Sequence, residues 1–313
     1  MITVVGSSNT DFSVKVGSLP KKGQTVLGSD FIIAAGGKGA NQAVQVSRLG
    51  SKVVFVARIG RDYFGDKAVA DFKKAGINTK YIVRDKEHMS GAAVILVDKK
   101  GSNQIAVAPS SNRFLSLADI NKAKDIIRCS KVLLAQLEIP IASVRRAIDI
   151  AKSANVTTIL NPAPFRKLDG GLLRKIDILT PNETEAESLA AVAVKDVNSA
   201  VRAGRILLKR GLKSVIITLG SLGSVIVDSQ GATHLPAPKV KAVDTTAAGD
   251  SFCGALAVSI AEGKSLVEAA DFANCCAAIS VTRPGAQPSL PTRREVNRIY
   301  YRGVEQPGSS QGS

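Results

Sequence analysis

The segment Asp244-Thr-Thr-Ala-Ala-Gly-Asp250-Ser-Phe-Cys-Gly-Ala-Leu256 decides how the rest of the chain reads. Pro236-Ala-Pro238 before it closes an extended piece, and Ala257-Val-Ser-Ile-Ala-Glu-Gly263 after it is an apolar helical run stopped by glycine. The segment is therefore a turn feeding a helix. Its small residues Ala247, Ala248 and Gly249 let a bound group approach the backbone, where the first free N–H groups of a helix favour an anion. A carboxylate beside that anion, Asp250, suits a group that takes a proton from a hydroxyl. The competing reading makes Asp244, Thr245 and Asp250 helix caps.

Composition agrees with an α/β chain. Of the 313 residues 45% are hydrophobic but only 4% aromatic, with no Trp, so the core must be built from Ile, Val, Leu and Ala, which suits parallel strands between helices. The net charge of +16 is spread over pairs such as Lys21-Lys22, Lys99-Lys100 and Arg293-Arg294, without a basic run or interleaved aromatics. That pattern reads as solvated surface, not as a nucleic-acid site. Cys129, Cys253, Cys275 and Cys276 lack metal-like spacing and are expected as free thiols in a reducing cytosol. A first strand directly after Met1, and no stretch near the ~18 apolar residues of a span, predict a cytoplasmic protein without signal peptide or membrane segment.

Upstream, the strand Ile2–Val5 runs into Gly6-Ser-Ser-Asn9-Thr10-Asp11, polar residues at a strand exit where open sheets bind ligands. Short extended pieces follow at Phe12–Val16, Gln24–Leu27 and Phe31–Ile33, then Ala35-Gly-Gly37-Lys38-Gly39-Ala40-Asn41-Gln-Ala43 opens a helix. The glycines around Lys38 let the backbone close over a polar ligand, but Lys38 is followed by Gly39, so this is not a Walker loop. A second extended pair, Gly91–Val97 and Gln104–Val107, predicts with the first a small separate sheet, a lid over the crevice. From Leu117 onward strands near 132–134, 156–160, 176–179, 215–219 and 225–227 alternate with helices near 140–154, 183–191, 197–210, 250–262 and 266–281, implying a mostly parallel sheet covered on both faces. Asn182-Glu-Thr-Glu185 opens one of these helices, either as dipole and capping residues or as groups that hold the water shell of Mg²⁺. Thr218-Leu219-Gly220-Ser221-Leu222-Gly223 is a glycine-rich strand exit suited to a nucleotide. The polar, Gly/Ser-rich residues Val304 to Ser313 read as a disordered tail or an expression remnant.

Gly36-Gly-Lys-Gly-Ala-Asn41-Gln-Ala, Asn161-Pro-Ala-Pro, Thr180-Pro-Asn-Glu-Thr-Glu-Ala-Glu187, Ile217-Thr-Leu-Gly220 and Asp244-Thr-Thr-Ala-Ala-Gly-Asp250 occur in this order. Together they resemble the ribokinase-like (PfkB) carbohydrate kinase family, from Val4 to about Arg298, and Ser8–Asp11, Gly37–Asn41 and Glu138 match its ribose-phosphorylating members. The resemblance implies a three-layer α/β/α fold with a β lid, as a single kinase domain over 1–303 with lid inserts at about 12–36 and 88–109, paired into a homodimer through the lids. It implies transfer from ATP to the 5-hydroxyl of D-ribose, with Asp250 as base and the N–H groups of Ala247, Ala248 and Gly249 as anion hole. Asn9, Thr10, Asp11, Gly37, Lys38, Gly39, Ala40, Asn41 and Glu138 would hold the sugar. Asn182, Thr218, Leu219, Gly220, Ser221, Leu222, Gly223, Gly249 and Asn274 would hold the nucleotide, and Glu185 Mg²⁺ through water. Backbone carbonyls of Asp244, Thr246, Ser280, Arg283 and Gly285, with the Ser289 hydroxyl, would hold an activating K⁺.

Cys253 stands where such kinases commonly carry Asn, Pro109-Ser-Ser-Asn112 replaces a usual Gly-Ala-Asn at the lid's return, and Cys275-Cys276 replaces small residues beside Asn274. These departures touch sugar or phosphate positioning, the lid hinge and packing respectively. Rival expectations are a related kinase for deoxyribose, another pentose or a nucleoside, and a non-catalytic sugar or nucleotide sensor; the latter predicts a missing base or a broken anion hole.

Overall fold

A computed structural model describes residues 1–304; of the tail expected from Val304 to Ser313, Val304 instead closes the last helix, Arg293–Val304, and residues 305–313 lie outside the described residues. Thirteen strands are described: β1 Ile2–Val5, β2 Asn9–Val16, β3 Gly28–Gly36, β4 Val53–Gly60, β5 Ile82–Asp85, β6 Gly91–Val97, β7 Asn103–Ala108, β8 Val132–Gln136, β9 Thr157–Asn161, β10 Ile178–Leu179, β11 Ser214–Thr218, β12 Ser224–Asp228 and β13 Gly231–Leu235. Nine form the central sheet in the order β13-β12-β11-β10-β9-β8-β1-β4-β5. All its pairs are parallel except β11–β12 and β12–β13. The exception follows from the sequence: no α-helix separates β11 from β12, and the glycine-rich exit folds the chain straight back.

Alternation along the strands builds two cores. Ile2 and Val4 of β1, with Phe55 and Ala57 of β4, pack on one face against Phe72, Phe252 and Phe272. Val5 and Val56 point to the other, against Ile148, Leu207 and Val215. Strands buried on both faces read as continuous apolar runs, which is why their period marked them so clearly. Sheet strands predicted from sequence appear with ends shifted by a few residues. Gln24–Leu27 is different: Pro20 and Gly23 turn the chain there, β3 starts only at Gly28, and Leu27 is left 93% exposed.

The lid is a separate sheet ordered β3-β2-β6-β7. Asn112, on the lid's return, fastens it to the body: its Nδ2 donates to the Asn9 Oδ1 (2.8 Å) and to the Ser8 carbonyl (3.1 Å), while its Oδ1 accepts the Ser8 N–H (2.9 Å). The altered Pro109-Ser-Ser-Asn112 return therefore keeps a working clasp.

Candidate active site

The helix Lys38–Arg48 starts without a side-chain cap, after Gly37 at φ 88°. Its orphan amides are satisfied across the fold instead. Lys38 N–H donates to Glu138 Oε2 (3.0 Å), Gly39 N–H to Ser7 Oγ (3.4 Å) and Ala40 N–H to the Ser7 carbonyl (2.8 Å), while Ser7 Oγ also donates to Glu138. Gly39 makes this docking possible, because a Cβ there would stand 2.6 Å from the Gly6 carbonyl carbon and the Ser7 nitrogen. The strand exit of β1, the loop after β8 and this helix thus form one rigid corner.

From that corner the helix lies along Ala248–Ala261, with Gly254 close enough that a Cβ would meet Gln45 Cβ at 2.7 Å. The approach brings Asn41 and Gln42 to Asp250, which is only 6% exposed. Asn41 Nδ2 donates to Asp250 Oδ2 and Gln42 Nε2 to Oδ1, each at 2.9 Å. Asp250 is therefore not a helix cap: burial pushes its carboxyl up from the ordinary range, opposed by Lys38 and these two amides. Asn41 Oδ1 is buried with no partner among the described residues, an acceptor left for a hydroxyl.

Ala247, at φ 60°, precedes the helix, and the N–H groups of Ala247, Gly249 and Asp250 donate to no group among the described residues. The Ala248 N–H, expected in the same anion hole, closes a turn on the Thr245 carbonyl at 3.2 Å, because the left-handed residue ahead of it folds the chain back. A Cβ on Gly249 would stand in open space. Beside it lies a cavity of about 200 Å³ lined by residues including Lys38, Asn182, Glu185, Thr218, Asp250 and Cys253.

Charge concentrates here. Asp11 is pushed up to about 6, mainly by burial and then by Glu138 and Asp250, with Lys38 opposing. Burial lowers the Lys38 amine, but Asp250, Glu138 and Glu185 outweigh it and hold it above its usual value. Burial also pushes the Cys253 thiol up to about 12, and its sulfur lies 3.3 Å from Thr180 Oγ, so it is a neutral wall group. Asn182 and Glu185 form a capping box, Asn182 Oδ1 accepting the Glu185 N–H at 2.8 Å and Glu185 Oε2 the Asn182 N–H at 3.0 Å. Capping and cavity lining coexist in Glu185, which burial raises above the ordinary carboxylate range.

On the far side, Gly220–Leu222 is a single 3-10 turn closed by Leu219 N–H to the Gly223 carbonyl at 2.8 Å, with Gly220 and Gly223 at φ 53° and 90°. Asn274 is buried and spends an amide hydrogen on the Leu235 carbonyl (3.2 Å). Asp244 pins two segments: its Oδ1 accepts the Thr246 N–H (2.9 Å) and its Oδ2 the Gly285 N–H (2.8 Å). The Ser280 carbonyl accepts the Arg283 N–H at 3.2 Å, and Ser289 Oγ donates to the Ala286 carbonyl at 2.7 Å. Sequence reading missed Ser7, Gln42 and the Asn112 clasp. Gln42 stood inside the quoted glycine-rich motif, and a second glutamine three residues on, Gln45, repeats a polar side chain on the same helix face; both are fully buried.

A buried carboxylate beside helix amides that have no partner among the described residues, at the carboxyl edge of a parallel sheet and next to a small β sheet, suits a small-molecule kinase. The chain belongs to the pfkB family of carbohydrate kinases, whose family model matches residues 1–293. It is 44% identical to the ribokinase of Haemophilus influenzae over 295 residues, 94% of this chain and 96% of that one. It is 36% identical to a deoxyribokinase of Salmonella typhi, over 95% of this chain and 97% of that one. The solved structure of Arabidopsis thaliana ribokinase complexed with ribose and ATP superposes with a TM-score of 0.88 at 33% identity, covering 96% of this chain and 98% of that one.

Proposed function

We propose that this protein transfers the γ-phosphoryl group of ATP to the 5-hydroxyl of D-ribose, giving ribose 5-phosphate and ADP. The observation that carries the reading is Asp250, a buried carboxylate with both oxygens held, next to helix amides that donate to no group among the described residues. Asp250 takes the hydroxyl proton, the sugar oxygen forms the bond to the γ-phosphorus, and the bond to the bridging oxygen breaks to release ADP. The N–H groups of Ala247, Gly249 and Asp250 face the charge that gathers on the phosphoryl oxygens; Ala248 joins them only if its turn bond opens. Asn9, Asp11, Lys38, Asn41 and Glu138 hold the sugar hydroxyls, and Thr218–Gly223 with Asn274 the nucleotide.

Glu185 fits Mg²⁺ held through water, being a buried carboxylate in the cavity wall that a cation would relieve; the ion supplies neutralisation of phosphate charge. The carbonyls of Asp244, Thr246, Ser280, Arg283 and Gly285 with the Ser289 hydroxyl suit K⁺, a large ion that takes oxygen ligands, and Asp244 draws these segments together. All four cysteines are free thiols and no helix among the described residues is long and apolar enough to cross a membrane, which supports a cytoplasmic placement.

The deoxyribokinase likeness keeps 2-deoxyribose as the second reading. Asp11 and Asn41 favour ribose, because polar groups built for a hydroxyl are left unpaired by a sugar without it. An intact Asp250 and free helix amides disfavour a non-catalytic sensor. A sugar panel read by coupled ADP release tests this: kcat/KM is expected to be highest for ribose, and preference for 2-deoxyribose or a nucleoside would overturn the substrate.

A further inference from the structure

Gln42 is the most completely bonded buried side chain next to the reaction centre. It is fully buried in the helix Lys38–Arg48, its Nε2 donating both to Asp250 Oδ1 (2.9 Å) and to Asn161 Oδ1 (3.3 Å), while its Oε1 accepts Gln136 Nε2 at 2.5 Å. Asn161 Nδ2 in turn donates to the Thr180 carbonyl at 3.0 Å. The ends of β8 and β9 thus brace a single amide against the carboxylate.

We propose that Gln42 is the positioning residue for Asp250, holding the carboxylate at one angle and in its ionised form so that one face stays free for the sugar hydroxyl. This rests on Asp250 as the base proposed above. The charge of Asp250 dictates which end of the Gln42 amide faces it, since a carbonyl oxygen there would repel the carboxylate. With Gln42 so oriented, Gln136 must present its nitrogen to the Gln42 oxygen, and Gln136 Oε1 is then buried without a partner. A buried acceptor left bare is costly, so the surroundings accept that loss to keep the Gln42 orientation. Gly6 makes the room, because a Cβ there would stand 2.0 Å from Gln136 Oε1. Two donors to the charged form oppose the burial that raises Asp250. Asn41 holds the other oxygen but also opens to the sugar side, whereas Gln42 has no exposed surface and acts only through Asp250.

Gln42→Met keeps the volume and removes the donor. Expected are a kcat lower by about 10²-fold, as for a misplaced reacting group, a ribose KM within a few-fold of wild type, and an acid limb of the rate profile moved to higher pH. Gln136→Met leaves Gln42 in place but frees its orientation, and a smaller change in the same directions is expected. Carbon NMR titration of the Asp250 carboxyl reads the same pKa rise without turnover, and melting curves show that each variant folds. If wild type phosphorylates no ribose while the Asp250 titration still moves in Gln42→Met, the positioning stands and the substrate reading falls. A folded Gln42→Met with wild-type kcat, or with an unmoved acid limb and Asp250 titration, overturns the proposal.

Discussion

Asp11 concentrates the cost of this site. Its carboxyl is desolvated and shares the crevice with Glu138 and Asp250, and only Lys38 opposes the resulting rise from 3.8 to about 6. The folded protein therefore keeps a proton that the unfolded chain has already lost between those values. By linkage the contribution of Asp11 to stability falls as pH rises through this window, and the charged form is the one a hydroxyl-binding site uses. Ribose affinity measured by calorimetry without nucleotide is expected to strengthen as pH rises through about 6, and Asp11→Asn should remove that component. A wild-type affinity flat across this range would show that Asp11 does not bind the sugar through its charge.

Elements carry what single residues cannot. The turn before the helix Ala248–Ala261 is held by Asp244, which reaches both Thr246 and Gly285. A cation among the nearby carbonyls would stiffen that turn and so the amides proposed to face the phosphoryl group. Activity at fixed Mg²⁺ is expected to rise far more with KCl than with NaCl, and equal responses would reduce the effect to ionic strength. Much of this scale was legible in the sequence, because strand burial and helix starts are written in local periods and turn residues. Gln24–Leu27 misled because its apolar residues imitate a strand while Pro20 and Gly23 turn the chain away. The Ala248 amide could not be read, since its engagement depends on the left-handed backbone of Ala247. The Gln42 bond to Asp250 joins residues 208 positions apart, which only packing of two helices brings together.

At the scale of the molecule the lid stands out. Register sets Phe12 opposite both Ile33 and Val94, and each of the latter two is 51% exposed on that face; Ile32, Ile105 and Val107 are exposed on the other. So small a sheet leaves apolar surface on both sides, which monomeric proteins rarely tolerate. A two-fold dimer covering lid with lid is expected by light scattering, and Ile33→Asp with Val94→Asp should yield monomers with impaired ribose turnover. A monomeric wild type would contradict the pairing, and a fully active monomeric variant its link to catalysis. Fold, carboxylate and substrate meet in one experiment, phosphorus NMR of ribose and ATP incubated with wild type and with Asp250→Asn. Wild type is expected to give ribose 5-phosphate and the variant a kcat about 10²–10⁴-fold lower, with nucleotide affinity unchanged. Phosphorylation at another hydroxyl, or wild-type turnover by Asp250→Asn, would contradict the proposed function.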